Sequence, residues 1–356
     1  MKKTISLLLA LVLIVGAFAG CANKEQEAEI TEPQSEKVEE TTVNEEEKPQ
    51  EVEEVVSNYP VTIENNGITA TYESAPERVV AVEYPVAEIL VALGLGDKVV
   101  ALAPSMNTID EVMPELRDEV AEIPLFPDGG MNNGTPTLEA ILATEPDFVY
   151  GTMYSFFPQN CGTAEDYKAN NINIYATEGT CVEKPTLENL YHDITNLGMI
   201  FDVRERADEL IAELREREEN VKKAVEGLDA KSVFVLDMDM GNGTYMTTGG
   251  ATLEDYMIAL AGGKNVFDEV GKQYANAAVE EIISKNAEYI IVTNYYTADD
   301  GQIKVDRMKN SPDFKDLTAV QNDNFLILSG LAVWPSLQSL DALEAMAEFL
   351  HPEAFN

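Results

Sequence analysis

The sequence predicts an α/β fold made of two lobes that are joined by one long helix. Short runs rich in β-branched residues alternate with helical stretches in both halves of the chain, which is typical of parallel sheets. Between these two sets, residues 202–228 carry apolar side chains at three- and four-residue spacing along one face. We therefore expect a first lobe over 59–201, a bridging helix over 202–228 and a second lobe over 229–356. A cleft should lie between the lobes.

The N-terminal residues have the pattern of an export signal. Lys2 and Lys3 precede an apolar run over 5–18, which is shorter than the about 20 residues that span a bilayer. The small residues Ala19 and Gly20 are followed by Cys21, and this resembles the lipobox of bacterial lipoproteins. We expect a signal peptide over 1–20 and a lipid on Cys21 that holds the protein at the membrane. An ordinary secretory signal with an incidental cysteine is the alternative.

The next segment, 21–58, is predicted to be an acidic, disordered tether. Glu, Thr, Gln, Pro and Lys dominate it, and 22–58 contains no aromatic residue, so it cannot bury enough apolar surface to offset chain entropy. A binding role for this tail is the alternative. The formal net charge of the chain is -40, which argues against nucleic acid and anionic lipid headgroups as partners.

The first lobe is predicted from repeated β-α-β units. A β-branched run at 79–82 and another at 98–102 predict strands, and the helical period of 85–94 lies between them. The unit then recurs, with a helix over 137–144, a strand over 147–151, a helix that ends at 167–171 and a strand over 172–175.

The second lobe repeats this alternation. Its predicted elements are a strand over 232–237, helices over 252–261 and 278–286, strands over 289–293 and 324–328, and a terminal helix over 337–350. In open α/β sheets ligands bind outside the carboxyl ends of the strands. The side chains that follow each strand are therefore the candidates for a binding site.

Several segments carry a family resemblance through their order and spacing. They are Pro76–Val82, Glu88–Ala101, Leu138–Leu142 with Glu145–Val149, Leu260–Phe267, and Glu280–Ile283 with Ala287–Val292. Together they resemble the substrate-binding proteins of ABC importers for iron-siderophores, heme and vitamin B12. The resemblance implies two Rossmann-like lobes bridged by a rigid helix, permease subunits of an ABC importer as partners, and a protein that acts as a monomer.

The resemblance also implies a docking role for one exposed glutamate on each lobe. In this family such glutamates pair with arginines of the permease, whose planar guanidinium groups suit carboxylates. The matching positions are Glu139 and Glu280. The alternative for both is an ordinary solvated carboxylate with no docking role. In the second lobe, Glu281 is the alternative to Glu280 as the docking residue.

The residues after the predicted strands are rich in aromatic and methionine side chains. The candidates for the cleft are Glu83, Tyr84, Met106, Met153, Tyr154, Phe156, Met238, Asp239, Tyr245, Asn294, Tyr295 and Trp334. Large aromatic faces suit a bulky chelate or macrocycle, so we expect an iron-siderophore or a corrinoid-type chelate. Heme or another bulky solute is the alternative. The scarcity of Lys and Arg in these loops favours neutral or cationic cargo.

Other classes of function receive less support from the sequence. His192 and His351 are the two histidines of the chain. Both lie far from the ends of the predicted strands, so we expect no metal site, and bare metal ions are poor candidates for the cargo. We also expect no cofactor and no enzymatic activity, since no Gly-x-Ser-x-Gly motif is present. Two alternatives remain: an enzyme that uses Asp237 and Asp239 as an acid-base pair, and a surface adhesin or receptor for another protein.

Two cysteines in the predicted first lobe, Cys161 and Cys181, are expected to form a disulfide. The exported location permits oxidation, and closing a loop of about 20 residues would stabilise the fold by ~3 kcal/mol. Two free thiols are the alternative.

Overall fold

The computed structural model describes residues 58–105, 107–126, 131–132, 134–295 and 297–355. The signal peptide, Cys21 and the tether up to residue 57 lie outside the described residues, and so does Met106. Those predictions therefore stay predictions. No helix in the described ranges is both long enough and apolar enough to cross a membrane.

The described part of the chain alternates strands with helices. The strands are β1 Val61–Asn65, β2 Ile68–Tyr72, β3 Val79–Val82, β4 Val99–Ala103, β5 Met131–Asn132, β6 Thr135–Pro136, β7 Phe148–Gly151, β8 Asn173–Ala176, β9 Lys231–Leu236, β10 Met238–Gly241, β11 Thr244–Thr248, β12 Gly263–Asn265, β13 Tyr274–Ala278, β14 Tyr289–Asn294 and β15 Phe325–Ser329. The helices are α1 Tyr84–Ala92, α2 Arg117–Glu122, α3 Leu138–Leu142, α4 Ala164–Ala169, α5 Leu187–Ile200, α6 Arg204–Val225, α7 Leu253–Leu260, α8 Val279–Lys285, α9 Asp300–Asn310, α10 Thr318–Gln321 and α11 Gln338–Leu350.

Each lobe is built on a four-stranded sheet whose strands all run parallel. The first sheet has the order β4-β3-β7-β8 and the second has the order β12-β9-β14-β15. The two orders are equivalent, because the first parallel strand of each lobe, β3 or β9, lies next to the sheet edge in both. The predicted α/β fold of two lobes is confirmed.

The long helix α6 has 22 residues and packs against α5 of the first lobe and α11 of the second. It is shorter than the predicted 202–228 because the backbone leaves helical geometry at both ends. Asp202 has φ 57 before the helix, and Gly227 has φ 78 after it. Its buried face includes Ala207, Leu210 and Leu214.

The hydrophobic core is continuous between the lobes. One cluster of buried side chains joins Ile89 of α1, Leu210 of α6, Met257 of α7 and Leu343 of α11. A second cluster belongs to the far side of the second lobe, and a third to the far side of the first. Packing on both sides of α6 therefore connects the lobes through buried apolar surface.

Several elements did not follow from the sequence patterns. A small antiparallel sheet of order β10-β11-β13 flanks the parallel sheet of the second lobe. In the first lobe, the hairpin of β1 and β2 precedes the parallel sheet in the chain. Helices α5 and α9 were also not assigned. His192 lies exposed on α5 beside Glu178, and His351 lies buried directly after α11.

Candidate functional site

A cavity of about 370 Å³ opens at the carboxyl ends of both parallel sheets. This volume lies in the range of roughly 300–1,000 Å³ that is usual for small-molecule sites. Residues of both lobes line it: Glu83, Pro85, Val86, Ser105, Asn107, Thr152, Tyr154, Thr177 and Thr180 from the first, and Asp237, Met238, Met246, Tyr274, Tyr295, Gly330, Leu331, Trp334 and Pro335 from the second. The cavity lies where the topology of open α/β sheets puts a ligand.

Part of the cavity wall is an aromatic pair that spans the two lobes. The rings of Tyr154 and Trp334 meet edge to face, with centroids 5.7 Å apart and planes at 73°. Phe157 also packs on Tyr154, with ring centroids 6.1 Å apart. This pair offers large, rigid apolar surface to a ligand, and it also forms a direct contact between the lobes.

Glu83 connects the end of β3 to the start of α1 and lies on the cavity wall. Its backbone has φ 87, a conformation that side chains other than glycine rarely adopt. The backbone N–H donates to the carbonyl of Ala103 at 2.7 Å, which holds this geometry. Thr152 Oγ1 donates weakly to Glu83 Oε1 at 3.5 Å. Burial raises the pKa of this carboxyl to about 7.

Asp237 follows β9 and supplies the second carboxyl of the wall. Its side chain is buried, with 2% of the residue exposed. Tyr295 donates its hydroxyl to Oδ1 at 2.8 Å, whereas Oδ2 has no hydrogen-bond partner among the described residues. Burial raises the pKa of Asp237, against the opposing effects of Tyr295 and Lys304.

Lys304 of α9 lies behind this wall and is nearly buried. Its Nζ donates to the backbone carbonyls of Asp237 at 2.8 Å and Thr293 at 2.7 Å. It also pairs with Asp300 Oδ2 at 2.7 Å. The positive charge of Lys304 therefore connects α9 to the ends of β9 and β14, and it is already paired with Asp300.

A third carboxyl, Glu254, is buried close to the second lobe's wall. Thr248 donates its hydroxyl to Glu254 Oε2, and Oε1 has no partner among the described residues. Burial raises the pKa of Glu254 to about 8, and the nearby Asp237 adds to this effect. Burial also raises the pKa of the cavity-lining Tyr274, with smaller contributions from Asp237 and Glu254.

Five of the residues predicted for the cleft line the cavity: Glu83, Tyr154, Met238, Tyr295 and Trp334. Whether they contact a ligand stays a prediction.

Other candidates lie away from the wall because they serve the core or the loops. Tyr84 is buried in the core, Phe156 packs on Tyr167, and Tyr245 packs on Phe314. Met153 packs against the core of the first lobe, Asn294 accepts from the backbone of Gly301 at 2.7 Å, and Asp239 faces Arg307 at 3.6 Å.

Several wall residues were missed by the sequence reasoning. Met246 and Tyr274 lie on β11 and β13 of the antiparallel sheet, whereas the sequence search followed only the ends of parallel strands. Thr177 and Thr180 follow β8, but they belong to a short turn with no pattern that marks a site. A wider search after β8 would have included them.

The predicted disulfide is not formed, because both cysteines are free thiols. Cys161 is fully buried in the core of the first lobe. The thiol of Cys181 is directed back to its own turn, where it donates to the carbonyl of Thr177 at 3.5 Å. Burial raises the pKa of Cys161 to about 12 and that of Cys181 to about 11.

Metal ligands do not gather at this site. In the described ranges, no group of three or more His, Cys, Asp or Glu side chains is placed to hold a metal ion. The cavity thus offers aromatic, methionine, hydroxyl and carboxyl groups to a ligand.

Comparison with known proteins gives a consistent picture. Residues 79–330 match the family described as periplasmic binding protein. The uncharacterized ABC transporter substrate-binding lipoprotein YvrC of Bacillus subtilis is 23% identical over 100% of this chain and 99% of its own length. The vitamin B12-binding protein of Photorhabdus laumondii is 24% identical over 62% of this chain and 72% of its own.

Solved structures agree with the architecture. A periplasmic binding protein from Veillonella parvula superimposes with a TM-score of 0.73 and 26% identity, over 82% of this chain and 97% of its own. A protein of an ABC-type Fe³⁺-hydroxamate transport system from Saccharomonospora viridis superimposes with a TM-score of 0.68 and 27% identity, over 82% and 99% of the two chains.

Proposed function

The chain belongs to the periplasmic binding protein family, and we propose that it is a lipid-anchored protein that delivers an iron-siderophore or corrinoid-type chelate to an ABC importer. The family consists of substrate-binding transport proteins and is not a class of enzymes. The observation that carries the proposal is the cavity at the carboxyl ends of both sheets, with an aromatic wall contributed by both lobes.

The chemistry of the cavity supports a bulky, partly apolar cargo. Tyr154 and Trp334 offer ring faces, and Met238 and Met246 add polarizable, adaptable side chains. Hydroxyl groups such as those of Thr152 and Tyr274 can orient polar edges of a ligand. Relatives named for vitamin B12 binding and for Fe³⁺-hydroxamate transport support the same size class of cargo.

Docking to the permease would use one glutamate on each lobe. Glu139 is the second residue of α3, and Glu280 is the second residue of α8. Both are exposed, and each lies on a helix that leads into a buried strand of its own lobe. Equivalent carboxylates on two lobes suit two matching arginines on a pair of permease subunits.

Anchoring would use Cys21, in keeping with the lipobox-like sequence and with the relative that is named a lipoprotein. Mass spectrometry of the membrane-extracted protein should find a diacylglyceryl-modified cysteine at the new N-terminus. A Cys21→Ser variant should be released from membranes. Membrane retention of that variant would contradict the anchor.

The test of the function is a ligand screen on the exported chain with Cys21→Ser. Trp334 is the one tryptophan of the chain and lies on the cavity wall, so its fluorescence should report binding. The panel holds corrinoids, heme and ferric siderophores of different charge, with Zn²⁺ and Mn²⁺ as controls. Calorimetry on the same panel covers ligands that do not quench. Tight binding of a corrinoid or a ferric siderophore supports the proposal, tight binding of heme alone favours the alternative cargo, and no binding by either method contradicts the proposal.

A further inference from the structure

Glu83 and Asp237 hold equivalent places in the two lobes. Glu83 directly follows β3, and Asp237 directly follows β9. These strands occupy the same position in the orders β4-β3-β7-β8 and β12-β9-β14-β15. Both residues line the cavity. Each lobe therefore contributes one acidic residue to the cavity wall.

No basic side chain of the protein balances these carboxyls on the cavity wall. Among the described residues that line the cavity, none is Lys, Arg or His. Lys304 is the basic group next to Asp237, but its Nζ is held by two backbone carbonyls and by Asp300. The acidic residues Glu83 and Asp237 are therefore not balanced by any basic residue among the described residues of the wall.

The carboxyl of Asp237 is also incompletely satisfied. Its Oδ1 accepts from Tyr295, but its buried Oδ2 has no hydrogen-bond partner among the described residues. A buried carboxyl without a partner costs free energy. Oδ2 has almost no surface accessible to solvent in the unliganded protein, so a donor on a bound molecule would reach it only after the side chain rotates towards the cavity. A positively charged donor would then satisfy it most effectively.

The backbone of Glu83 is strained at the position where the residue lines the cavity. Its φ of 87 is unfavourable for a residue with a side chain, by about 1–3 kcal/mol. A glycine would adopt this turn without strain. A strained carboxyl-bearing residue at the wall of a cavity is typical of a functional position.

We infer that the cavity recognises a positively charged group on its cargo, with Glu83 and Asp237 as the acidic partners from the two lobes. The inference rests on the proposed function and narrows the cargo to cationic chelates, for example one that carries a protonated amine or a metal centre with net positive charge. We expect polyanionic ferric chelates to bind poorly, since they would bring negative charge against two acidic residues.

The test uses pairs of chelates that differ in charge but little in shape. One pair is a linear ferric trihydroxamate with a terminal ammonium group and the same molecule with that amine acetylated. The other is a corrinoid whose cobalt carries axial water, and its neutral form with axial cyanide. Affinities are measured by calorimetry on the exported chain with Cys21→Ser, at low and at moderate salt.

The cationic member of the pair that binds should bind at least tenfold more tightly than its neutral partner. The variants Glu83→Gln and Asp237→Asn should each reduce this ratio several-fold. Asp239→Asn is the matched control, because Asp239 lies near Asp237 in sequence but off the cavity wall, and it should leave the ratio unchanged. Thermal melting of each variant verifies folding. If a variant does not fold, the ratio of the wild-type affinities for the cationic and neutral members tests the preference for cationic cargo.

Two contrary results have different meanings. Equal or tighter binding of the neutral members would overturn the inference and leave the proposed function in place. No binding by any member of either pair, nor by the wider panel, would overturn the proposed function and the inference together.

Discussion

Gln338 and Glu88 are joined by a hydrogen bond of 2.8 Å from Nε2 to Oε1, which connects helix α11 of the second lobe to helix α1 of the first. Glu88 Oε1 also accepts from the backbone of Met113 at 2.8 Å, and Gln338 Nε2 donates to the carbonyl of Glu111 at 2.9 Å. The carboxyl is fully buried, and its Oε2 has no partner among the described residues. This buried polar contact joins the two lobes.

Glu88 should make stability depend on pH. Burial raises its pKa from 4.5 to about 7. Between pH 4.5 and about pH 7, Glu88 is therefore protonated in the folded protein and ionised in the unfolded chain. The contribution of Glu88 to stability is therefore present below about pH 4.5 and is lost as the pH rises through about 7. Glutamine cannot ionise, so the free energy of unfolding of Glu88→Gln should not include this loss. Relative to wild type, it should be roughly 1–3 kcal/mol higher at pH 8 than it is at pH 4.5.

Urea unfolding of both proteins at pH 4.5, 6 and 8 measures this difference. Other buried carboxyls contribute equally to both proteins and cancel. A difference between variant and wild type that does not change with pH would contradict the raised pKa of Glu88.

Gly179 lies next to Pro335 of the second lobe, beside the cavity. A Cβ atom at this position would lie 2.4 Å from Cγ of Pro335 in the second lobe, which is too short for a stable contact. Gly179→Ala should push the lobes apart next to Trp334 and weaken ligand binding by about tenfold, or about 1.4 kcal/mol.

Gly271→Ala is the matched control, since a Cβ there meets no atom within 4 Å. Calorimetry with the ligand found in the screen compares both variants with wild type. If Gly179→Ala bound as tightly as Gly271→Ala, the lobe contact would not matter for binding.

The Tyr154–Trp334 pair should contribute to both ligand affinity and lobe contact. Replacing Tyr154 by Leu removes the edge-to-face contact at 5.7 Å, which is worth about 0.5–1.5 kcal/mol. We expect a loss of affinity of about three- to tenfold and a shifted Trp334 emission in the free protein. Tyr289→Leu is the control, because Tyr289 packs on Phe349 away from the cavity. An unchanged emission spectrum in Tyr154→Leu would contradict the contact.

The two thiols should be poorly reactive in the native protein. Burial raises the pKa of Cys161 to about 12 and that of Cys181 to about 11, so little thiolate is present at neutral pH. In the variant with Cys21→Ser, a thiol reagent should label neither cysteine quickly under native conditions and both after unfolding in denaturant. Absence of labelling in denaturant without a reductant would instead indicate a disulfide.

The proposed docking glutamates should affect transport without affecting ligand binding. Glu139→Lys and Glu280→Lys should each abolish most ligand-dependent growth or uptake in cells, because a lysine would face the permease arginines. Calorimetric affinity for the ligand should stay at the wild-type value. Glu281→Lys is the control, as Glu281 is the exposed neighbour of Glu280 on α8. A larger loss in the control would move the docking role to Glu281.

The sequence alone determined seven of the eight strands of the two parallel sheets and the helix that joins the lobes, whereas the short edge strand β12 was not predicted. Buried parallel strands are short β-branched runs, as at 79–82 and 289–293, and α6 has a clear helical period over its apolar face. These patterns are local in sequence, so they can be recognised without knowing which strands pair with each other. The residues that follow such strands were predicted to form the cleft. Of these, Glu83, Tyr154, Met238, Tyr295 and Trp334 line the cavity.

Only the tertiary structure decided how the rest of the cavity is built. The strands β10, β11 and β13 are short, polar and half-exposed, so no clear alternation predicts them, and the wall positions of Met246 and Tyr274 depend on their pairing. Nor could a cysteine count decide whether Cys161 and Cys181 are bonded. A disulfide requires two sulfur atoms in a specific geometry, and sequence spacing carries no information on the distance between residues that fold into different turns.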